Sequence, residues 1–374
     1  MKINKTLTAL IAGASLGMSG QAMAIGTASN VLITNTATLD FDVSGQPQAQ
    51  TTDFSQFRVD NRIDLSLSWN DSTAPTTVAN TSKSLSFKLY NAGNTAQSYK
   101  LSATHETDEG VTIGSDSTDY QTGASPAVSL PLTPGYTYSY YQEDGSNTGF
   151  QSGQDTLLVG GMTADIAPAT NVASLTDDDQ ATIVYLVVNN IIGTAFDTDI
   201  LGFDFTATTH KSGAGIAETN DDTAVDLENV QTVFADANRS GNSTVKSALE
   251  ILSAKLEMTK EVIVKDDGIT GSTNTNFKAI PGATVTYIIK VENKGRVVAD
   301  LVRVRDDLTA ITTLDASAVD TLADLTITGG GNAVSSNSMA ASSIDVTLTS
   351  LAIDDTVDGS GNDFVQITFD AIIK

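Results

Sequence analysis

The sequence predicts an all-β chain of tandem Ig-like antiparallel β-sandwiches with an extra N-terminal strand. Three observations carry this. Apolar residues recur at every second position in run after run, which turns one side of each run to a core and the other to water. Short clusters of Gly, Asn, Asp and Ser separate the runs, the rhythm of a sandwich joined by tight turns. One run, with the hairpin signal that ends it, occurs twice.

In chain order, residues 1–24 have the three parts of an export signal. Lys2 and Lys5 form a positive start, residues 7–18 a short apolar stretch, and Gln21-Ala22-Met23-Ala24 ends in an A-x-A pattern that admits signal peptidase. The apolar stretch is far shorter than the roughly 20 residues that span a bilayer, so cleavage near Ile25 is expected rather than anchoring. No second stretch is long enough to span, and the mature chain is expected to carry no transmembrane segment.

Residues 25–60 hold one strong strand, in which Ala37, Leu39, Phe41 and Val43 alternate with Thr38, Asp40 and Asp42, and then a Gln/Thr-rich turn. Residues 61–210 read as a first sandwich with long insertions, opened by Ile63, Leu65, Leu67 and Trp69. Leu85, Phe87 and Leu89, then Tyr99, Leu101 and Ala103, and later Leu201, Phe203 and Phe205 continue it. Residues 211–253 are rich in Gly, Asp, Asn and Thr and read as a connector with a short strand near 230–234. Residues 254–374 form a second sandwich, closed by Val365, Ile367, Phe369, Ala371 and Ile373. Helical spacing appears once, at Leu249, Leu252 and Leu256. It competes with the alternation of Leu252, Ala254, Leu256 and Met258, which favours strand in the second half of 247–258 and leaves the first half open.

The repeat pairs Leu85-Ser-Phe87-Lys-Leu89-Tyr-Asn91-Ala-Gly93 with Tyr287-Ile-Ile289-Lys-Val291-Glu-Asn293-Lys-Gly295. Each is a strand ending in Asn-x-Gly, residues that tolerate the backbone of a tight connection. The second copy is also specific in its flanks. Residues 278–295, with Pro281-Gly282 ahead of the alternating Val285, Tyr287, Ile289 and Val291, resemble the conserved-repeat sandwich domain of bacterial surface proteins, the domain-of-unknown-function family eleven. The run from Ala299 to Leu308 and the strand around Leu256–Lys260 are similar to the same family. Residues 34–39 also look like the N-terminal strand of its secreted members. Lys294, Arg296 and Arg303 depart from its pattern at surface positions. The resemblance implies a non-enzymatic extracellular module.

Composition narrows the function classes. The chain has 374 residues, 45 acidic and 20 basic, for a net charge of −25, and loss of residues 1–24 moves the mature charge to about −27. Such a charge excludes a nucleic-acid binder, which needs a basic footprint. It fits a solvated acidic surface, or one that takes divalent cations. Without cysteine there is no disulfide, zinc thiolate or thiol nucleophile. Two histidines, His105 and His210, stand in no catalytic motif, and no G-x-S-x-G, H-E-x-x-H or P-loop occurs.

Calcium is the one cofactor the motifs suggest. Asp144, Ser146, Thr148 and Asp155, with Gly149 at the bend, match the spacing of a calcium loop; Asp236, Asn238 and Ser240 with Gly241 repeat its beginning. Both lack the acidic residues at the third and fifth positions and the final glutamate, and both read equally as Asp/Gly/Ser turns. Asp177-Asp178-Asp179 and the group Asp354, Asp355, Asp358 and Asp363 are further acidic clusters. Tyr136, Tyr138 and Tyr140 share one strand face, either a sugar-stacking platform or a packing row, with Tyr141 beside them. The expected function is an exported cell-surface or extracellular structural and adhesive component, with a place in a biofilm matrix among its settings. The alternatives are a carbohydrate-binding adhesin and a fibre subunit that donates residues 29–43 to a neighbour. Surface or matrix proteins, glycans and further copies of the chain all stand open as partners.

Overall fold

A computed structural model describes residues 26–71, 74–78, 81–106, 137–169, 180–191, 200–213, 215–221, 225–271, 276–307, 314–315, 325–329, 334–340, 343–353 and 364–374. The export signal and the acidic clusters at 177–179 and 354–363 lie outside the described residues.

The chain opens as a ribbon: β1 (Leu32–Leu39), β2 (Asp42–Val43), β3 (Gln46–Pro47) and β4 (Thr51–Arg58). β1 and β4 pair antiparallel from Leu32↔Arg58 to Leu39↔Thr51, and β2 pairs β3 at the tip. Ser44 and Gly45 turn the tip with φ of 56° and 80°, the left-handed pair that matches strand twist in a two-residue hairpin. The expected single strand is thus two. The Gln/Thr-rich stretch read as turn continues as β4, because Thr51–Arg58 also suits an extended pleat.

The first module follows: β5 (Asn61–Ile63), β6 (Leu65–Trp69), β7 (Thr76–Val78), β8 (Lys83–Asn91), β9 (Ser98–Glu106), β10 (Thr137–Gln142), β11 (Thr156–Leu157), β12 (Thr182–Asn189), β13 (Ile200–His210), β14 (Thr232–Phe234) and β15 (Asn242–Leu252). One sheet has the order β11-β10-β12-β8-β6 and faces another of order β7-β15-β13-β9. The first edge switches sheets, since β6 pairs antiparallel with β8 while β7 pairs parallel with β15. This is the Ig-like arrangement. Inward positions meet between the sheets, where Phe87 stacks on Phe205 at 4.1 Å and Leu85, Leu89, Leu186, Phe203 and Leu249 are fully buried. Each such side chain contributes about 1.5–3 kcal/mol by leaving water.

Two readings of residues 211–258 change here. The expected connector supplies β14 and β15, and β15 lies inside the second sheet with Leu249 and Ile251 buried. The stretch left between helix and strand, 247–258, is strand in both halves, interrupted only at 253–255. Period two won because Leu249 and Ile251 share one face of a sheet partner already built by β13. Among the described residues the only helical turn is a 3-10 turn at Val159–Gly161.

The second module is β16 (Leu256–Asp266), β17 (Thr284–Asn293), β18 (Ala299–Asp300), β19 (Arg303–Asp307), β20 (Leu314–Asp315), β21 (Thr326–Thr328), β22 (Val334–Ala340), β23 (Ser343–Leu348), β24 (Ser350–Leu351) and β25 (Phe364–Ile373). One sheet runs β16-β17-β25-β20 with β21 also on β25; the other runs β19-β23-β22. Its core holds Ile289, Val346, Leu348, Ile367 and Phe369.

The repeat seen in the sequence is reproduced bond for bond. Asn91 and Asn293 are 1% and 0% exposed, so their amides must find partners inside. Asn91 Nδ2 donates to the carbonyls of Thr95 (2.9 Å) and Ile166 (2.8 Å). Asn293 Nδ2 donates to those of Val297 (2.8 Å) and Leu351 (3.3 Å). Each Oδ1 accepts the N–H two residues on, from Gly93 at 3.0 Å and Gly295 at 3.1 Å. A β-carbon at either glycine would lie 2.3 Å from a carbonyl oxygen, of Arg62 or of Ser253, which only glycine allows. Strand register matches too: Leu65 sits opposite Asn91 and Leu256 opposite Asn293.

The modules join through Ser253, Ala254 and Lys255. Arg296 spans the joint, donating from its guanidinium to Glu250 Oε1 (2.8 Å) and the Ile251 carbonyl (3.3 Å), and from its N–H to the Ser253 carbonyl (3.0 Å).

Candidate functional site

The first calcium-like run lies on a hairpin whose stems are fixed by the sheet. β10 and β11 pair Tyr141 with Leu157 and Gln142 with Thr156. Antiparallel register therefore carries Glu143 and Asp144 back to Asp155, the residue before β11. Gly145 and Gly149, at φ of 80° and 90°, bend the loop between them. Carboxylate oxygens of Glu143, Asp144 and Asp155 lie within 4.8 Å of one another.

The loop is largely held by its own hydrogen bonds. Asp155, 6% exposed, accepts the N–H of Gln151 at 2.6 Å and that of Asp144 at 3.3 Å. Asp144 Oδ1 accepts the Ser146 N–H at 2.8 Å and its hydroxyl at 2.6 Å, and these bonds hold the Asp144 carboxyl below the usual carboxylate range. Glu143 Oε1 accepts the Gly145 N–H at 3.3 Å, and its other oxygen accepts the Tyr185 hydroxyl. Burial, and then the Glu143 carboxylate, push the Tyr185 phenol well above its ordinary value, so it stays a donor. Phe150 packs between Tyr141 (4.8 Å) and Tyr185 (5.5 Å) and fixes the far side of the loop. An open groove of about 740 Å³, lined by Asn70, Lys83, Ser146, Phe150 and Tyr185 among others, runs beside it.

Three carboxylates at this spacing are a hard-oxygen donor set, and a divalent cation would relieve their mutual repulsion. The sequence-derived ligands Asp144 and Asp155 are brought together. Ser146 spends its hydroxyl on Asp144, and Thr148 gives its carbonyl to Gln151 Nε2 at 3.2 Å. Glu143 was missed, because the motif starts one residue later; its signal is the β10–β11 register, which sequence spacing does not show.

Comparison with known proteins gives fold-level likeness only. No family model matches the chain, the conserved-repeat family included. No curated protein matches it significantly. Three solved structures are similar to it at low scores. The C-terminal domain of the AgI/II polypeptide BspA from Streptococcus agalactiae is 10% identical with a TM-score of 0.30, over 84% of this chain and 91% of that one. The T6 backbone pilin of serotype M6 Streptococcus pyogenes is 12% identical with a TM-score of 0.23, over 84% of this chain and 54% of that one. The CupB6 tip adhesin of Pseudomonas aeruginosa is 11% identical with a TM-score of 0.26, over 83% and 88%. At these scores the likeness carries no functional weight. The all-β, Ig-like architecture stands on the strands themselves.

The other candidates serve the fold. Asp236 accepts the N–H groups of Gly241 and Ser240, both at 2.9 Å, and the Ser240 hydroxyl at 3.1 Å. Burial raises its pKa, but these bonds outweigh it and leave the carboxyl below its usual range. It closes the turn into β15. Among the described residues Asp236 has no cluster of two further metal-ligating side chains, and Asn238 adds none. Tyr136 lies outside the described residues. Tyr138 meets Phe203 edge-on at 6.1 Å, and Tyr140 stacks on Phe205 at 6.3 Å while its hydroxyl accepts the Ala103 N–H at 3.0 Å. Both rings are committed to the core, so this face is a packing row and not a sugar platform. Tyr141 points the other way, toward Phe150.

Proposed function

We propose that the chain is an exported cell-surface or extracellular structural and adhesive protein without enzymatic activity. The observation that carries the reading is the duplication: two sandwich modules of one design, joined by three residues and hydrogen-bonded across the joint by Arg296. A hydrogen-bonded joint between like modules is how a chain resists bending, and stiff spacing is what surface and matrix proteins need. The residues read as signal and the lack of cysteine support export, and the acidic surface supports solubility in salt.

Within this reading the loop at Glu143, Asp144 and Asp155 is a weak calcium site, in the range of about 10⁻⁴–10⁻³ M seen for extracellular modules. Its role is to stiffen the β10–β11 hairpin. The second reading, a fibre subunit, is favoured by one specific observation: the β1–β4 ribbon exposes Leu39, Phe41, Val43, Phe54 and Phe57, each more than 40% accessible. Cell fractionation tests the main reading. The mature chain is expected in the medium or the outer surface fraction; recovery of the uncleaved chain from cytosol would end it.

A further inference from the structure

The two modules differ where their shared design predicts they should agree. In the first, β13 pairs with the edge of β9 and β15 pairs with β13, and together they cover the inward side of β6. Leu65 and Leu67 on β6 are only 6% and 7% exposed as a result. In the second, β16 stands in the place of β6, β17 of β8 and β19 of β9. Leu256 and Met258 match Leu65 and Leu67 by register, opposite Asn293 and Val291 as those lie opposite Asn91 and Leu89. Yet Leu256, Met258 and Val262 are 45%, 64% and 54% exposed. Among the described residues β19 pairs only with β23, and no strand occupies the places of β13 and β15. The second module is thus a sandwich short of two adjacent strands. It presents a free strand edge beside an uncovered apolar face.

We propose that this gap takes the β1–β4 ribbon of a second copy of the chain, a partner assignment that rests on the surface-protein reading above and makes its fibre form explicit. Three observations point to that occupant. The gap calls for an antiparallel pair; β13 and β15 share nine register pairs, and β1 and β4 share eight. The ribbon has the pattern of an inward strand, with Ile33, Ala37, Leu39, Phe41 and Val43 alternating much as Leu201, Phe203, Phe205 and Ala207 do in β13. It is also a two-stranded ribbon with little buried surface, a form that needs a covering partner to be stable. Charge agrees. Residues 254–307 carry nine Lys or Arg and eight Asp or Glu, a near-neutral region of an acidic molecule, whereas residues 26–60 carry four acidic residues and one basic. A ribbon from another copy is therefore not repelled there as it would be elsewhere.

Lys260 now crosses the gap, pairing with Asp306 at 2.7 Å and lying 4.9 Å over the Tyr287 ring. Its side chain is 37% exposed, so the pair is worth little and swings aside on entry. Donor and acceptor are different surfaces, so the contact is head-to-tail and grows chains unless it closes into a ring.

Two charge variants of the mature chain test this, each at positions already in water, so that folding is not at stake. The donor variant is Leu39→Glu with Phe41→Glu; the acceptor variant is Met258→Glu with Val262→Glu. At tens of micromolar, light scattering and electron microscopy are expected to show oligomers or filaments of the unaltered chain. Each variant alone is expected as a monomer with an unchanged melt, and an equimolar mixture as a one-to-one complex that grows no further. A monomeric unaltered chain, whether its ribbon stays free or folds back on its own second module, overturns the proposal. So does assembly that survives in either variant. A monomer that still fractionates to the cell surface removes the ribbon exchange and leaves the surface role standing, while cytosolic recovery of a chain that assembles in vitro does the reverse.

Discussion

At the residue scale the buried asparagines matter most. Asn293 Oδ1 also accepts the Lys255 N–H at 3.2 Å, so one side chain ties the joint, the β17 loop and β24 together. Asn293→Ala leaves several buried backbone groups unpaired and is expected to cost about 3 kcal/mol in urea unfolding, with Asn91→Ala similar in the first module. Asp267 plays a like part in the loop before β17. Its carboxylate accepts the Thr270 hydroxyl, the Thr270 N–H at 2.7 Å, the Lys278 N–H at 3.0 Å and the Ile269 N–H at 3.0 Å. These bonds, the Thr270 hydroxyl first, hold it well below the usual carboxylate range. A depressed folded value means the stabilisation is complete above the unfolded value of about 4 and fades as pH falls through the folded one. Urea midpoints should therefore drop less between pH 7 and pH 3 in Asp267→Asn than in the unaltered chain. The Asn-x-Gly pair was visible in the sequence as a hairpin signal. That it is a buried clamp was not, because the carbonyls it satisfies come from residues far along the chain.

At the element scale, strands were legible wherever one face is buried. Phe203 and Phe205, or Ile367 and Phe369, announce their faces by alternation alone. The errors fall where alternation is weak or ambiguous. β4 has only Phe54 and Phe57 among polar residues, and β15 carries leucines at helical spacing that the sheet overrides. The acidic loop was half legible: Asp144 and Asp155 stood in the motif, while Glu143 joins them through strand register. If that loop binds as proposed, calcium at ten times its dissociation constant adds about 1.4 kcal/mol, which raises the melting temperature by a few degrees. Glu143→Gln keeps an acceptor for Tyr185 and should abolish the shift. Equal melts with calcium and with chelator would remove the site.

At the scale of the whole molecule, charge and modularity work together. A mature charge of about −27 keeps copies apart in dilute solution, and the near-neutral second module is where that repulsion is weakest. The expected surface fractionation belongs to this scale, since no single residue decides it. The division into two modules was legible from the repeat. The unequal completion of their sheets was not, because it appears only when strand partners are compared one by one.

The pairing of β8 with β12 and of β17 with β25 has a kinetic consequence. Leu89 must find Thr182, and Val285 must find Ala371. Closing loops of roughly 90 residues before any central ladder can form makes native topology slow to reach. A polypeptide that lingers without its sheets remains threadable through a narrow translocation pore, and needs no holdback factor as strong as a fast-folding helical cargo would.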